Sequence, residues 1–217
     1  MSDFVVESVD ALREIYREPE GPPLEKVLFA LDEHCRNFIA HSPILMLGTD
    51  GDVSPRGDNP GFVVVADDST LIIPDRKGNF RLDSMQNIIR NPKVGILFLV
   101  PGMDVTLRIR GKAKITSDSK ILKSLEINGK EPHSAIIVQV QEAFLHCGKA
   151  LIRADIWNPE NRVANGVFPP PGHMYADHMK VNREKMEHLY VEHVTEDLAE
   201  EGRTIPKDRS SNPSYFQ

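Results

Sequence analysis

"STLIIPDRKGNFRLDSMQNIIRNPKVGILFLV", residues 69 to 100, changes its hydrophobic period twice. "STLIIPD" (69 to 75) is a short run rich in β-branched residues that ends at a proline and an aspartate, the pattern of a strand running into a turn. "NFRLDSMQNIIRNP" then sets Leu82, Met85, Ile88 and Ile89 on one side of a helix that Pro92 stops, and "VGILFLV" (94 to 100) returns to strand character. Between the first strand and the helix, Arg76, Lys77 and Arg81 gather around Gly78.

The same strand texture extends in both directions. "PILMLGT" (43 to 49), "GFVVVAD" (61 to 67), "VTLRIRGKAKIT" (105 to 116) and "SAIIVQVQEAFLHC" (134 to 147) bring the number of predicted strands to six. "TDGD" and "ADDST" are short enough for hairpins, so much of the sheet is expected to be antiparallel. A second helical connector, "SDSKILKSLEING", has Ser117 or Asp118 as a cap and Gly129 as its end. The expected fold is mainly β: a barrel of six strands with flanking helices at its rim.

Ahead of the strands, Leu24, Val27, Leu28, Leu31, Cys35, Phe38 and Ile39 recur at three- and four-residue steps behind "GPP", which predicts one amphipathic helix. From about residue 158, "NPENRVANGVFPPPGHMYADH" is rich in proline, glycine and asparagine. "KVNREKMEHLYVEHVTEDLAEEG" then turns helical, and "RTIPKDRSSNPSYFQ" reads as a tail. The expected organisation is a helical segment over 1–40, a β domain over 41–157, and an extension over 158–217 with one helix, packed on the barrel or on a partner subunit.

Composition narrows the function classes. A chain of 217 residues with 40% apolar and 27% charged residues can bury a core. A net charge of -6 argues against a general nucleic-acid binder, so any basic site must be local. Two distant cysteines, Cys35 and Cys147, support neither a disulfide framework nor a zinc knuckle and suggest a reducing, cytoplasmic setting. The acidic start "MSDFVVESVDALRE" is unlike a signal peptide, and no apolar run approaches the ~18 residues of a membrane span.

The basic turn at 76–78 is the first candidate site. If a helix begins near Asn79, Arg76 and Lys77 sit beside free N–H groups at its positive end, which suits a phosphate. Gly78 permits close backbone approach, Asn79 can cap or donate, and Arg76 can grip two oxygens. The competing reading is a solvated basic loop. In "TLRIRGKAKI", Arg108, Arg110, Lys112 and Lys114 alternate with apolar residues onto one sheet face; Lys112 and Lys114 suit a wet outer surface, whereas Arg108 lies deeper. "SPRGDNPG" (54 to 61) adds Arg56 and Asp58 on a bent stretch.

Other motifs are weaker. His173 with His178, and His188 with His193, are five apart, a spacing that does not share one helix face, so they read as surface histidines. His146 and Cys147 are neighbours on a strand and point to opposite sides, which favours a packed Cys147 over a nucleophile and base. No glycine pattern opens a helix as in dinucleotide or triphosphate sites.

The order "SPRGD", "LIIPDRKGNFRLDSMQNIIRNPKVGILFLVPG", "TLRIRGKAKI" resembles the pyridoxamine 5'-phosphate oxidase-like, FMN-binding split-barrel flavoproteins over roughly residues 40 to 157, and especially a branch with a DR-GN-R-DS pattern. The resemblance implies a six-stranded antiparallel Greek-key split barrel that forms a homodimer, with FMN at the interface and contacted by both chains. It implies that Arg56 faces the flavin and phosphate, and that Arg76 and Lys77 match a Ser-Arg-Lys phosphate motif in which Asp75, after Pro74, replaces the serine. It also puts Thr106 where relatives often carry a flavin-contacting glutamine, Arg108 at the family's arginine, and Trp157 at a tryptophan supplied by the second subunit. Asp58, Asn79 and Arg81 complete the expected cofactor-binding set.

Departures from the family pattern bear on the substrate. The chain ends "RSSNPSYFQ", without the Arg-x-His element that helps bind pyridoxal, so vitamin B6 oxidation is not expected. The stretch after Arg56 offers "GDNPG" where relatives carry a lysine, and Asp75 beside a phosphate needs a compensating cation. The resemblance implies an FMN-dependent oxidoreductase acting on a small molecule or on NAD(P)H. The alternatives are a flavin storage or sensing protein without turnover, or a split barrel holding haem or a deazaflavin.

Overall fold

The computed structural model describes residues 5–164 and 166–205, so the predicted tail from residue 206 onward lies outside the described residues. Three helices, α1 (Val9–Ile15), α2 (Pro22–Glu25) and α3 (Glu33–His41), precede the strands β1 (Ile44–Thr49), β2 (Asp52–Gly57), β3 (Val64–Val65) and β4 (Thr70–Pro74). Helix α4 (Asp83–Arg90) leads to β5 (Lys93–Leu99) and β6 (Thr106–Thr116), and α5 (Ser119–Ser124) to β7 (Ala135–His146). Three further helices, α6 (Lys149–Ala154), α7 (Pro171–Met179) and α8 (Arg183–Glu200), follow. No helix among the described residues is long and apolar enough to cross a membrane.

All seven strands form one antiparallel sheet in the order β2-β1-β5-β6-β7-β4-β3. The sheet is mainly β with flanking helices, as expected, but it has seven strands where six were predicted. The added strand is β2, whose "DVSPRG" hides its character behind Pro55. Proline lacks the N–H a central strand needs, yet it fits an edge, and β2 pairs only with β1. Conversely, the predicted strand over 61–67 shrinks to two residues, because Phe62 N–H closes a turn onto Asn59 O.

The sheet is rolled without closing. In a flat sheet, β2 and β4 would stand five spacings apart, or about 24 Å. Instead Arg56 on β2 and Asp75 just past β4 are 3.8 Å apart. Rolling wraps the inward face around one core that includes Leu45, Leu47, Leu71, Ile73, Ile96, Phe98, Leu107, Ile109 and Val138. Strand β6 shows the expected alternation, with Leu107 and Ile109 inside, Arg110, Lys112 and Lys114 exposed, and Arg108 half-buried.

The predicted continuous helix over 24–39 is two helices. Leu28 exchanges backbone hydrogen bonds with Ala143 (2.9 and 2.8 Å), which takes this stretch out of the helix and onto the sheet. Asp32 then caps α3 by accepting from Cys35 N–H at 2.8 Å. The same packing buries Cys35 and pushes its thiol up to about 12. Cys147, expected to be packed, is exposed, because β7 ends at His146 and its in-out alternation no longer applies.

Among the described residues the extension carries two α-helices where one was predicted. Helices α7 and α8 pair as a hairpin in which buried Glu187 accepts from Gly172 N–H at 2.7 Å. A side chain at Gly172 would collide with the backbone of Glu187, so glycine sets how closely the two helices approach.

Candidate anion and cofactor site

The seam between β2 and β4 opens into a hollow of about 780 Å³, within the ~300–1,000 Å³ range of small-molecule sites. It is lined by β2, by the turn after β4 and by the first turn of α4. Of the predicted cofactor residues, Arg56, Pro74, Asp75, Arg76, Lys77, Asn79 and Arg81 all line it.

Helix α4 starts at Asp83, four residues later than expected. Asn79 Oδ1 accepts from Arg81 N–H at 3.1 Å, and this local turn competes with a helical start. Phe80 and Leu82 both adopt left-handed backbone (φ 58° and 59°), a conformation that side chains disfavour and that concentrates at functional sites. Leu82 is the N-cap and offers no side-chain acceptor, so α4 begins without a side-chain cap beside the hollow.

Arg56 crosses the seam. Its Nη2 donates to Ser84 Oγ at 2.6 Å and its Nη1 lies 3.8 Å from Asp75 Oδ1. Its Nε and the Oγ of Ser54, two residues earlier on the same face of β2, are buried with no hydrogen-bond partner among the described residues. Buried polar atoms are normally paired, so two orphans on one wall mark a place that suits a polar ligand.

The other cations are already engaged. Arg76 donates from Nε to Asp58 Oδ2 at 2.7 Å and from Nη1 to Leu125 O at 2.9 Å. Asp58 is fully buried and also accepts from Arg203 Nη2. Lys77 lies 2.9 Å from both Asp197 Oδ1 and Glu200 Oε1 on α8, and Arg81 lies 2.7 Å from Asp83. An incoming anion must therefore share these cations or displace a carboxylate.

Burial and pairing push the two inner carboxyls in opposite directions. Burial opposes ionisation of Asp58, but hydrogen bonds from Arg203, the Asn59 N–H and Arg76 outweigh it and hold the group below the ordinary carboxylate range. Burial dominates at Asp75 and raises it, with only partial relief from Arg56 and His133. Hydrogen bonds to Asp197 and Glu200 hold Lys77 up to about 12.

Besides Asp58, which is buried against Arg76 without lining the hollow, three predicted residues lie elsewhere. Thr106 is buried at the start of β6 opposite His146. Arg108 is on the outer sheet face, 5.8 Å from the Phe144 ring centroid, beside a shallow groove floored by Gly48 and Gly95. Trp157 donates its indole N–H to Met103 O at 3.0 Å. The sequence reading also missed residues that the fold brings in. Ser84 stood in the quoted "RLDS" and could have been found there. Arg203, Asp197 and Glu200 sit more than 100 residues from their partners, where spacing gives no signal.

The model of the pyridoxamine 5'-phosphate oxidase family matches residues 31–147, more than half of the chain and the whole of the rolled sheet. The chain belongs to this family, and its sheet is of the family's split-barrel type. Solved structures similar to it include HupZ from Group A Streptococcus (18% identity, 53% of this chain and 93% of that chain, TM-score 0.44). An FMN-binding protein from Syntrophomonas wolfei (13%, 51% and 82%, 0.39) and general stress protein 26 from Bacillus anthracis (15%, 50% and 88%, 0.37) are also similar. No curated protein matches the chain.

Proposed function

We propose that the protein is an FMN-binding flavoprotein of the oxidoreductase class, with the flavin phosphate held in the β2–β4 hollow. The observation that carries this reading is the pair of unpartnered buried atoms, Arg56 Nε and Ser54 Oγ, on one wall of a hollow that also gathers Arg76, Lys77 and the start of α4. Guanidinium, hydroxyl and helix N–H groups are the donors a phosphate monoester requires, so the residues fit the cofactor. Family membership supports the same reading.

When bound, FMN supplies the hydride or electron transfer, and the protein supplies position and electrostatics. Arg56 and Arg76 bind the anion and orient it, while Ser84 fixes the Arg56 guanidinium. Asp75 retains a proton at its carboxyl to higher pH than an ordinary aspartate, beside His133 and Arg56. Phe62, Phe80 and Met85 give the same hollow an apolar side that sheds water from a ring system.

The reading includes a homodimer. Thr106, Arg108 and Trp157 lie outside the hollow of their own chain and would act on the flavin bound by the partner. The reductant would be NAD(P)H or an oxidisable small molecule.

Titration of the purified protein with FMN, followed by flavin fluorescence, tests the proposal. Binding in the micromolar range or tighter is expected, and none in that range would refute it. Replacing Arg56 with Met removes hydrogen bonds to a charged group and should weaken FMN by about 10- to 100-fold. Oxidation of NAD(P)H by the loaded protein would separate an enzyme from a flavin store.

A further inference from the structure

We infer that Arg203, in the segment after α8, is a positioning residue of the anion site that acts on Arg76 through Asp58. The inference rests on the flavin-phosphate reading for its ligand, but its geometry stands by itself. The Asp58 side chain is 0% exposed, and its two oxygens are divided between Arg76 Nε (2.7 Å) and Arg203 Nη2. Arg203 does not line the hollow; Arg76 does.

Charge counting shows what the second guanidinium does. Asp58 with Arg76 alone would be a neutral pair, and the charge of Arg76 would be largely cancelled where the ligand meets it. With Arg203 added, two guanidiniums share the Asp58 carboxylate, and Glu201 Oε2, 3.6 Å from Arg203 Nε, offsets part of the added charge. In a partly dehydrated site a unit charge several ångströms from a phosphate is worth about tenfold in affinity or more.

The segment is built to hold that position. Arg203 N–H donates to Leu198 O at 2.8 Å and Gly202 N–H to Ala199 O at 2.9 Å, closing the end of α8. The Asn128 side-chain amide donates to Glu201 O and ties the same turn to the barrel. Asp197 and Glu200 meanwhile hold Lys77. The end of α8 therefore works in two opposed senses: its carboxylates occupy Lys77, whereas Arg203 relieves Arg76 of its carboxylate.

That opposition gives a test with distinct signs. Full-length wild type, Arg203→Met, Arg203→Lys and the double variant Asp197→Asn/Glu200→Gln are compared for FMN and riboflavin binding by fluorescence. Backbone deuterium exchange over 75–79 is followed in the ligand-free proteins, with melting temperatures to confirm folding. Arg203→Met should weaken FMN about tenfold while leaving riboflavin unchanged, Arg203→Lys should recover part of the loss, and the double variant should tighten FMN by freeing Lys77. The inference is overturned if Arg203→Met leaves the FMN-to-riboflavin ratio unchanged, or if both α8 variants weaken FMN, because α8 would then be only a brace. If wild type binds neither flavin, the cofactor reading fails and exchange decides the positioning role. Faster exchange at 75–79 in Arg203→Met than in the double variant upholds it, and equal or slower exchange overturns it.

Discussion

Strands β5, β6 and β7 are joined by backbone ladders, with one register shift at Arg110/Gly111, over an apolar core, whereas β2 and β4 meet through charged side chains across a hollow. The two sides of the rolled sheet thus divide the work. The ladder side supplies stability through burial that needs no partner. The seam uses Arg56, Asp58, Asp75 and Arg76, whose energies depend on pairing, pH and whatever enters between them.

Breaking the ladder side should have the largest effect on stability. Phe98 is fully buried on β5, and Phe98→Ala should cost about 3–5 kcal/mol in urea denaturation. Ligand affinity per folded molecule should be unchanged. A comparable effect on affinity would mean that core and seam are not separable.

The seam should respond to pH with two opposite signs. The folded value of Asp58 is depressed, so its stabilisation is fully present above the ordinary carboxylate pKa and is lost as pH falls through the lower folded value. Asp58→Asn should therefore cost about 1.5–3 kcal/mol near neutrality and much less in acid. The folded value of Asp75 is raised, so its contribution is fully present below the ordinary pKa and is lost as pH rises through the folded one. Asp75→Asn should stabilise at neutral pH and do little in acid. Denaturation midpoints of both variants at several pH values check the pair, and parallel profiles would contradict the assigned environments.

The smallest effect belongs to the outer face of β6. Arg110 and Glu142 form an exposed pair at 3.1 Å, and Arg110→Ala should change stability by only about 0–1 kcal/mol. A larger loss would show that this face is covered by something in solution.

The same division explains how much could be read from the residues alone. Strands such as "VGILFLV" and "TLRIRGKAKI" announce themselves because burial imposes a period of two on neighbouring residues. The cap of α5 was legible as Ser117 or Asp118, and Asp118 fills it through local hydrogen bonds from the N–H groups of Lys120 and Ile121. The basic turn was visible for the same reason, and its Arg76 and Lys77 line the hollow with five of their predicted companions. Strand β2 was missed because an edge tolerates the proline that a central strand would not. The bridge at Leu28, the start of α4, the pairing of Asp58 with Arg203 and the partners of Lys77 were not legible. In each case the competing contact is either a side-chain turn or a residue more than 100 positions away.

Pro55 has one more consequence. A rolled but unclosed sheet leaves two outermost strands, and such borders can template unwanted pairing with a neighbouring chain. Here one border lacks an N–H at Pro55 and the other is only two residues long, so neither offers a run of donors and acceptors for a stranger to add to. The open seam is thereby kept from becoming a nucleus for aggregation.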